Sequence, residues 1–509
     1  MTIRALVDFY AAQQAEQVFF ISAASGKKVT WRALAAQLSA MEQLLQSLQI
    51  PTEQPLAFIL NNGWASVQTI LGALYYGRIV VPLNIAAGDA QLLYALQQSG
   101  SAAVIVDQDN AARLQTIIGD NANIKIVQVD GDHGIENNDV ENNPPLNTTR
   151  AVTADTKALM IYTSGTTGTP KGVVHTQGSL LAGGNNVVLA HQLTAADRAL
   201  CVLPLYHING LCVTVFAPLL SGGSVVMPLR FRTEEFWQQV ATHQCTWFSV
   251  VPTLISYLLQ STSPLPSMPQ LRFGRSASAP LSPSVQEEFE QRFAIPIIET
   301  MGLTETAAQI LSNPLPPATR KIGSPGIAYG NEVVVLGKDG TPCADNESGE
   351  LAVRGLNVML EYNNNPQETA ATFTADGWLL TGDLGHRDSD GYFFITGRSK
   401  ELIIKGGENI APREIDEALM QMPQVVDAAA FARPCKRYGQ RVEACVTLAT
   451  GVQVEEHVLI EYCQTIVGRF KSPERIYFVA DLPRGPSGKV QRLKLAELVS
   501  TCQSSGGGD

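Results

Sequence analysis

The sequence predicts an α/β protein of two or more domains, with parallel α/β sheets in the N-terminal part, then a β subdomain, then a smaller region mixing strands and helices. Three observations carry this. At 509 residues the chain exceeds the roughly 250–300 residues at which one hydrophobic core stops growing. Short apolar runs at 56–60, 79–83 and 103–106 alternate with helical patterns at 64–76 and 89–99, which is the signature of a parallel βαβ sheet. After about Asn331 the pattern becomes strand-rich, with runs at 332–336, 349–354 and 392–396 parted by Gly, Pro and Asp turns.

Between these blocks, residues 131–157 are polar and rich in Asn and Pro, and read as a surface connection. A second alternating block follows, with strands at 224–227 and 246–250 around a helix at 234–242. A helix at 412–421 opens with Pro412 and carries acidic residues in its first turn, where the helix dipole favours them. No repeat of fixed period is present.

Composition restricts the function classes. A net charge of −11 argues against nucleic acid or an anionic membrane as partner. The eight cysteines are scattered without a C-x-x-C pair, which suits buried thiols in a reducing cytoplasm better than disulfides or zinc. The N-terminus lacks a signal-peptide pattern, and no apolar run reaches the about 18 residues of a membrane span. The tail, residues 501–509, ends in Gly-Gly-Gly-Asp and is expected to be disordered.

The stretch Tyr162-Thr-Ser-Gly-Thr-Thr-Gly-Thr-Pro-Lys-Gly172 follows the apolar strand 158–161. Gly165 and Gly168 let backbone N–H groups converge on an anion; Thr163, Ser164, Thr166 and Thr167 add hydroxyls, and Lys171 adds a charge, as a phosphate site requires. It is not a Walker A loop, which has four residues between its glycines and ends in Lys-Ser/Thr. Seven further motifs follow in order: Pro204-Leu-Tyr-His-Ile-Asn-Gly210, Gly302-Leu-Thr-Glu305, Gly349-Glu-Leu-Ala-Val-Arg-Gly355, Thr381-Gly-Asp383, Gly397-Arg-Ser-Lys400, Gly406-Gly-Glu-Asn-Ile410 and Gly485-Pro-Ser-Gly-Lys489.

In these motifs and their order the chain resembles, nearly end to end, the acyl-adenylate-forming superfamily: acyl-CoA synthetases, peptide synthetase adenylation domains and firefly luciferase. The resemblance implies an N-terminal adenylating domain over 1–399, a small mobile α+β domain over 400–500, and a hinge at Lys400. It implies ATP, Mg2+ and CoA. The acid is first adenylated with release of pyrophosphate, and the acyl group then passes to CoA with release of AMP. By resemblance the 163–172 loop covers the β- and γ-phosphates, Thr304 hydrogen-bonds a phosphate and Glu305 holds Mg2+, a hard cation that prefers oxygen ligands. Asp383, read as a turn carboxylate at the end of the apolar strand Trp378-Leu-Leu-Thr-Gly, accepts from the ribose hydroxyls with help from Arg398. Ser278, Ala279 and Pro280, with Glu299, Thr300, Met301 and Gly302, surround adenine; Met301 stands where the family carries an aromatic. Lys489 pairs with the substrate carboxylate and α-phosphate during adenylation. Gly406 and Gly407 lie along the pantetheine path.

His207 stands where amino-acid-activating relatives carry an aspartate, which argues against an amino acid substrate. The segment Arg272-Phe-Gly-Arg-Ser-Ala-Ser-Ala-Pro280 looks closest to oxalyl-CoA synthetases. A small diacid needs a cation or several donors at its far end, because burying an unpaired anion costs several kcal/mol; Arg275, Arg230 and His207 are the candidates, with Ser276 beside them. The oxalate enzymes carry a histidine shortly after Thr-Glu, where this chain reads Thr306-Ala-Ala308, so a somewhat longer acid of the malonate or sulfoacetate type is expected, with Ala308 at the pocket. A separate carrier protein as acceptor, a longer-chain acyl substrate and a homodimer stay open at this stage.

Overall fold

A computed structural model describes residues 1–119, 124–135, 151–163, 170–449, 451–485 and 490–505. The chain divides into two compact units, Met1–Val333 with Val353–Leu379, and Val334–Ala352 with Leu380–Asp509.

The large N-terminal unit holds two sheets. The first runs in the order Ile327–Ala328, Ala308–Ser312, Ile297–Leu303, Phe273–Ser276, Trp247–Val250, Arg198–Cys201, Ser224–Met227, Val18–Ser22, Lys28–Thr30. From Ile297–Leu303 to Val18–Ser22 its strands are parallel, and the outer ones pair antiparallel. The second runs Glu361–Tyr362, Lys171–Thr176, Lys157–Thr163, Val80–Pro82, Leu56–Ile59, Ala103–Val106, Lys125–Gln128. Its inner strands read as continuous apolar runs because both faces are covered. The helix Trp64–Tyr75 is buried along its whole length and shares one core with strand residues of both sheets, among them Phe20, Phe58, Leu159 and Val225. That explains why its sequence is uncharged on every side, with Ser66, Gln68 and Thr69 buried among apolar residues.

The expected boundaries hold within a residue or two over 56–106 and 224–250. The stretch 131–135 is no free connection: Asp132 accepts from Ser22, and the Ile135 N–H donates to Gln68.

In the second unit, the strands Leu379–Arg387 and Phe393–Arg398 pair antiparallel in a four-stranded sheet with Glu332–Leu336 and Gly349–Arg354. A five-stranded sheet built on the long hairpin Val425–Cys435 and Gly439–Leu448 packs helices Pro412–Met420 and Glu456–Lys471 over a core containing Ile403, Ile415, Leu419, Val442 and Leu459. The protein is thus α/β, with a large N-terminal unit and a small C-terminal α+β unit. Compactness groups the β-subdomain strands with the C-terminal residues, so Lys400 lies inside the second unit, exposed, in the single turn Ser399–Glu401. No helix among the described residues is long and apolar enough to cross a membrane.

Candidate active site

The phosphate loop joins two antiparallel strands, Lys157–Thr163 and Lys171–Thr176, with Thr163 opposite Lys171. Ser164, Gly165, Thr166 and Thr167 lie outside the described residues. Lys171, at the start of the returning strand, ion-pairs through Nζ with Glu368 on the helix Pro366–Thr372. The same ammonium lies 5.1 Å from the centre of the Tyr362 ring, and the Tyr362 hydroxyl donates to Glu305 Oε1 at 2.9 Å. Burial, then the Glu305 and Glu368 charges, push the phenol pKa upward, so it remains a donor across the working range.

Glu305 sits in the single 3-10 turn Thr304–Thr306, and three neighbours hold the backbone of that turn. Met359 N–H donates to the Glu305 carbonyl at 2.8 Å, Asn357 Nδ2 to the Thr306 carbonyl at 2.9 Å, and His175 Nε2 meets the Thr304 carbonyl at 2.7 Å. His175 is fully buried; desolvation lowers its pKa to about 4 against the favourable bond to Thr304. The neutral ring therefore donates from Nε2 and accepts from Ser179, whose Oγ lies 3.0 Å from Nδ1. Gly302 admits the tight crossing beneath this turn: a Cβ there would lie 1.7 Å from the Ala308 carbonyl oxygen. Among the described residues no three His, Cys, Asp or Glu side chains converge as a metal cage. One carboxylate suits Mg2+ that takes its remaining oxygens from phosphates and water.

Beside this turn, the strands Phe273–Ser276 and Ile297–Leu303 run parallel. The residues named for adenine lie at and beyond their C-terminal ends, where parallel sheets bind ligands. Thr300 Oγ1 donates to the Ser276 carbonyl at 3.2 Å, Glu299 Oε1 accepts from the Leu281 N–H at 3.2 Å, and Met301 is half-buried. Ser278 holds φ +73°, a conformation that costs a non-glycine residue energy and concentrates at functional sites; Asn209 Nδ2 fastens its hydroxyl at 3.1 Å. Ala279 and Pro280 follow it toward the surface.

Arg275 is fully buried. Its guanidinium donates to Asn209 Oδ1 at 2.7 Å, to Ser249 Oγ at 3.1 Å, and weakly to Gln309 Oε1 at 3.3 and 3.4 Å. All of these acceptors are neutral. Burial pulls the Arg275 pKa from 12.5 down to about 9. The buried His191 imidazole is pushed well below its usual pKa by burial and then by Arg275. Arg275, Asn209 and Ser278 are thereby brought together. His207 is half-buried with its ring against Tyr206, Ser276 is buried, and Arg230 is exposed at the surface. Ala308 is buried with φ +79°.

In the second unit Asp383 departs from expectation: it lies inside the strand Leu379–Arg387, not in a turn. The strand continues because Asp383 is in register with Arg398. Their side chains form an ion pair, Arg398 Nε to Asp383 Oδ1 at 2.7 Å, with the carboxylate buried. Gly406 and Gly407, at φ +60° and +90°, form the exposed tip of the hairpin Ile403–Lys405 and Glu408–Ile410, the paired positive φ values that a two-residue hairpin turn needs. The Lys405 side chain turns away from that tip, pairing with Glu474 at 3.0 Å and the Phe470 carbonyl at 3.0 Å. Lys489 lies outside the described residues; Arg484 and Val490, which flank it, form an antiparallel bridge.

Sequence reasoning missed Tyr362, Glu368, His175 and Gln309. Asn209 stood inside a quoted motif without a role.

The chain matches the AMP-binding enzyme family over residues 7–363 and the AMP-binding enzyme C-terminal domain over residues 414–489. It is 46% identical to sulfoacetate–CoA ligase from Cupriavidus necator, covering 97% of each chain, and 32% identical to oxalate–CoA ligase from Arabidopsis thaliana, covering 90% of this chain and 91% of that one. Among solved structures, ATP-bound MatB from Rhodopseudomonas palustris superposes with a TM-score of 0.88 at 28% identity over 98% of this chain and 99% of that one. o-Succinylbenzoate CoA synthetase from Bacillus subtilis, bound to its acyl-adenylate, gives a TM-score of 0.84 at 28% identity over 96% and 97%. The chain belongs to the AMP-binding enzyme family, within the acyl-adenylate-forming superfamily.

Proposed function

We propose that the protein is an ATP-dependent, AMP-forming acid–CoA ligase whose substrate is a small acid bearing a second anionic group, of the sulfoacetate type. The acid's carboxylate oxygen attacks the α-phosphorus of ATP and pyrophosphate leaves; the CoA sulfur then attacks the acyl carbon and AMP leaves. Charge accumulates on phosphate oxygens, so the protein's task is positioning and neutralisation.

Lys171 and the loop hydroxyls take the β- and γ-phosphates, Thr304 a further phosphate oxygen, and Glu305 the Mg2+. Asp383 takes the ribose hydroxyls, with Arg398 orienting its carboxylate at 2.7 Å. The segments 278–280 and 299–302 take adenine. Lys489 supplies the cation at the α-phosphate, Gly406 and Gly407 the pantetheine path, and Lys400 the hinge. The cysteines at 201, 212, 245, 343, 435, 445 and 463 are reduced thiols, five of them buried, which suits a cytoplasmic enzyme.

The observation that carries the substrate class is Arg275, a buried guanidinium surrounded by neutral acceptors, beside the turn that begins the adenine segment. A buried charge without a counter-charge is expensive, and the far-end anion of a small acid supplies one. The similarity to a sulfoacetate–CoA ligase at 46% identity supports the same class. The test is to incubate the purified protein with ATP, Mg2+ and CoA and, separately, sulfoacetate, malonate, oxalate, acetate and octanoate, and to identify thioesters by mass. Sulfoacetyl-CoA formed in preference to acetyl- and octanoyl-CoA is expected. Preference for a fatty acid would overturn the substrate class, and acid-dependent AMP release without a CoA thioester would point to a carrier protein.

A further inference from the structure

The phosphate-loop lysine already has an anionic partner. Lys171 is mostly enclosed, with 17% of its side chain exposed, and Glu368 is on its ammonium. Tyr362 presents its ring to Lys171 and its hydroxyl to Glu305. Glu305 and Glu368 both bear on the Tyr362 phenol, so two carboxylates, one lysine and one tyrosine form a single cluster in the N-terminal unit. Among the described residues of this cluster the carboxylates outnumber the lysine.

From this cluster we infer that Glu368 is the exchange partner of Lys171: it occupies the ammonium while the nucleotide is absent and surrenders it to the triphosphate. The inference rests on the nucleotide role proposed for Lys171 and Glu305. An enclosed lysine cannot wait unpaired without cost. A phosphate oxygen and the Glu368 carboxylate draw on one ammonium charge and its three N–H donors, so each anion weakens the hold of the other. Glu368 sits on a short helix capped by Asn365, whose Oδ1 accepts from the Glu368 N–H at 3.1 Å. Its backbone stays anchored when its side chain lets go. The exchange also serves the reverse step: after adenylation Glu368 returns to Lys171 and helps pyrophosphate depart. Tyr362 holds Glu305 still through this exchange.

The test is calorimetric titration of wild type and Glu368→Gln with MgATP, magnesium pyrophosphate and adenosine, with no acid or CoA present. Removing the competing charge is expected to tighten MgATP and pyrophosphate about fivefold, what a part-exposed ion pair is worth, and to leave adenosine unchanged. In single-turnover measurements pyrophosphate release should slow by a similar factor. In a Lys171→Met background the Glu368→Gln gain should vanish, because the contested cation is gone. Unchanged or weaker MgATP binding by Glu368→Gln would overturn the inference, since the carboxylate would then be orienting the lysine. So would equal changes for adenosine, which would mark a structural effect. Failure of the wild type to bind MgATP would overturn the nucleotide assignment itself, a result distinguishable from either of these.

Discussion

Replacing Arg275 with methionine separates substrate recognition from fold stability. The fall of the Arg275 pKa from 12.5 to about 9 corresponds, at about 1.4 kcal/mol per pH unit, to about 5 kcal/mol by which the site disfavours its own cation. An anion at the guanidinium recovers much of that, and breaking such a buried pair from one side costs about 3–5 kcal/mol. For Arg275→Met, kcat/KM for sulfoacetate should therefore fall about 10²- to 10³-fold. The thermal midpoint should move by only a few degrees: Asn209, Ser249 and Gln309 each lose a donor, at about 1 kcal/mol apiece, while the burial cost of the cation disappears. The decisive comparison is methylsulfonylacetate, a near-isostere without the second charge. Its kcat/KM should change less than about tenfold, because the lost term is electrostatic. The assay follows acyl-CoA by mass or AMP by a coupled reaction, for both acids and both proteins. Equal losses on the two acids would refute the reasoning and make Arg275 a structural residue, and retained sulfoacetate activity would remove it from recognition altogether.

Gly302→Ala sets a Cβ against the Ala308 carbonyl oxygen at 1.7 Å, so the backbone must part; a loss of about 1–3 kcal/mol in stability and of MgATP binding is expected by thermal melting and calorimetry. Lys489→Ala should abolish adenylate formation, followed as acid-dependent exchange of pyrophosphate into ATP, while acyl transfer to CoA from a supplied acyl-adenylate survives. His175 makes the fold acid-sensitive in a defined window. Its folded pKa is about 4 and its ordinary value 6.5, so between these values the unfolded chain holds the proton and the folded chain does not. Stability is therefore full above pH 6.5 and declines by about 3 kcal/mol as pH falls to 4. His175→Gln, which keeps a donor for the Thr304 carbonyl, should remove about one proton from the measured slope, and an unchanged slope would refute the assignment.

Those residues also mark what could and could not be read from sequence. The parallel blocks were legible because buried strands write continuous apolar runs, and the element boundaries around 56–106 followed from that periodicity. The nucleotide motifs were legible because phosphate chemistry demands glycines and hydroxyls at fixed spacing. Asp383 was misread as a turn residue because Thr381-Gly-Asp383 looks like a turn; its strand is sustained by Arg398, and pairing between strands leaves no local trace. The partners were invisible for the same reason. His175 reaches Thr304 across 129 residues, and Lys171 reaches Glu368 across 197, and no local pattern announces such contacts. Glu368 in particular stands in the first turn of a short helix, a position that says nothing of its distant partner.

In the reading proposed above, the acid class is set by Arg275 and not by the turn that carries Glu305. Gly183 of the helix Gln177–His191 meets that turn closely: a Cβ on it would lie 2.6 Å from the Ala307 Cβ and 2.2 Å from the Ala307 carbonyl oxygen. The helix and the turn meet with only hydrogens between them, so the turn that carries Glu305 is braced by the helix on one side and by His175 on another. That bracing steadies the turn proposed above to hold the metal, and recognition of the second anion is proposed for a neighbouring strand. Arg275 meets it there, on a parallel strand whose backbone is already fixed on both sides by Trp247–Val250 and Ile297–Leu303. Such a placement keeps the cation rigid, which favours recognition of a short substrate with no flexible chain to bring its charge to a moving partner.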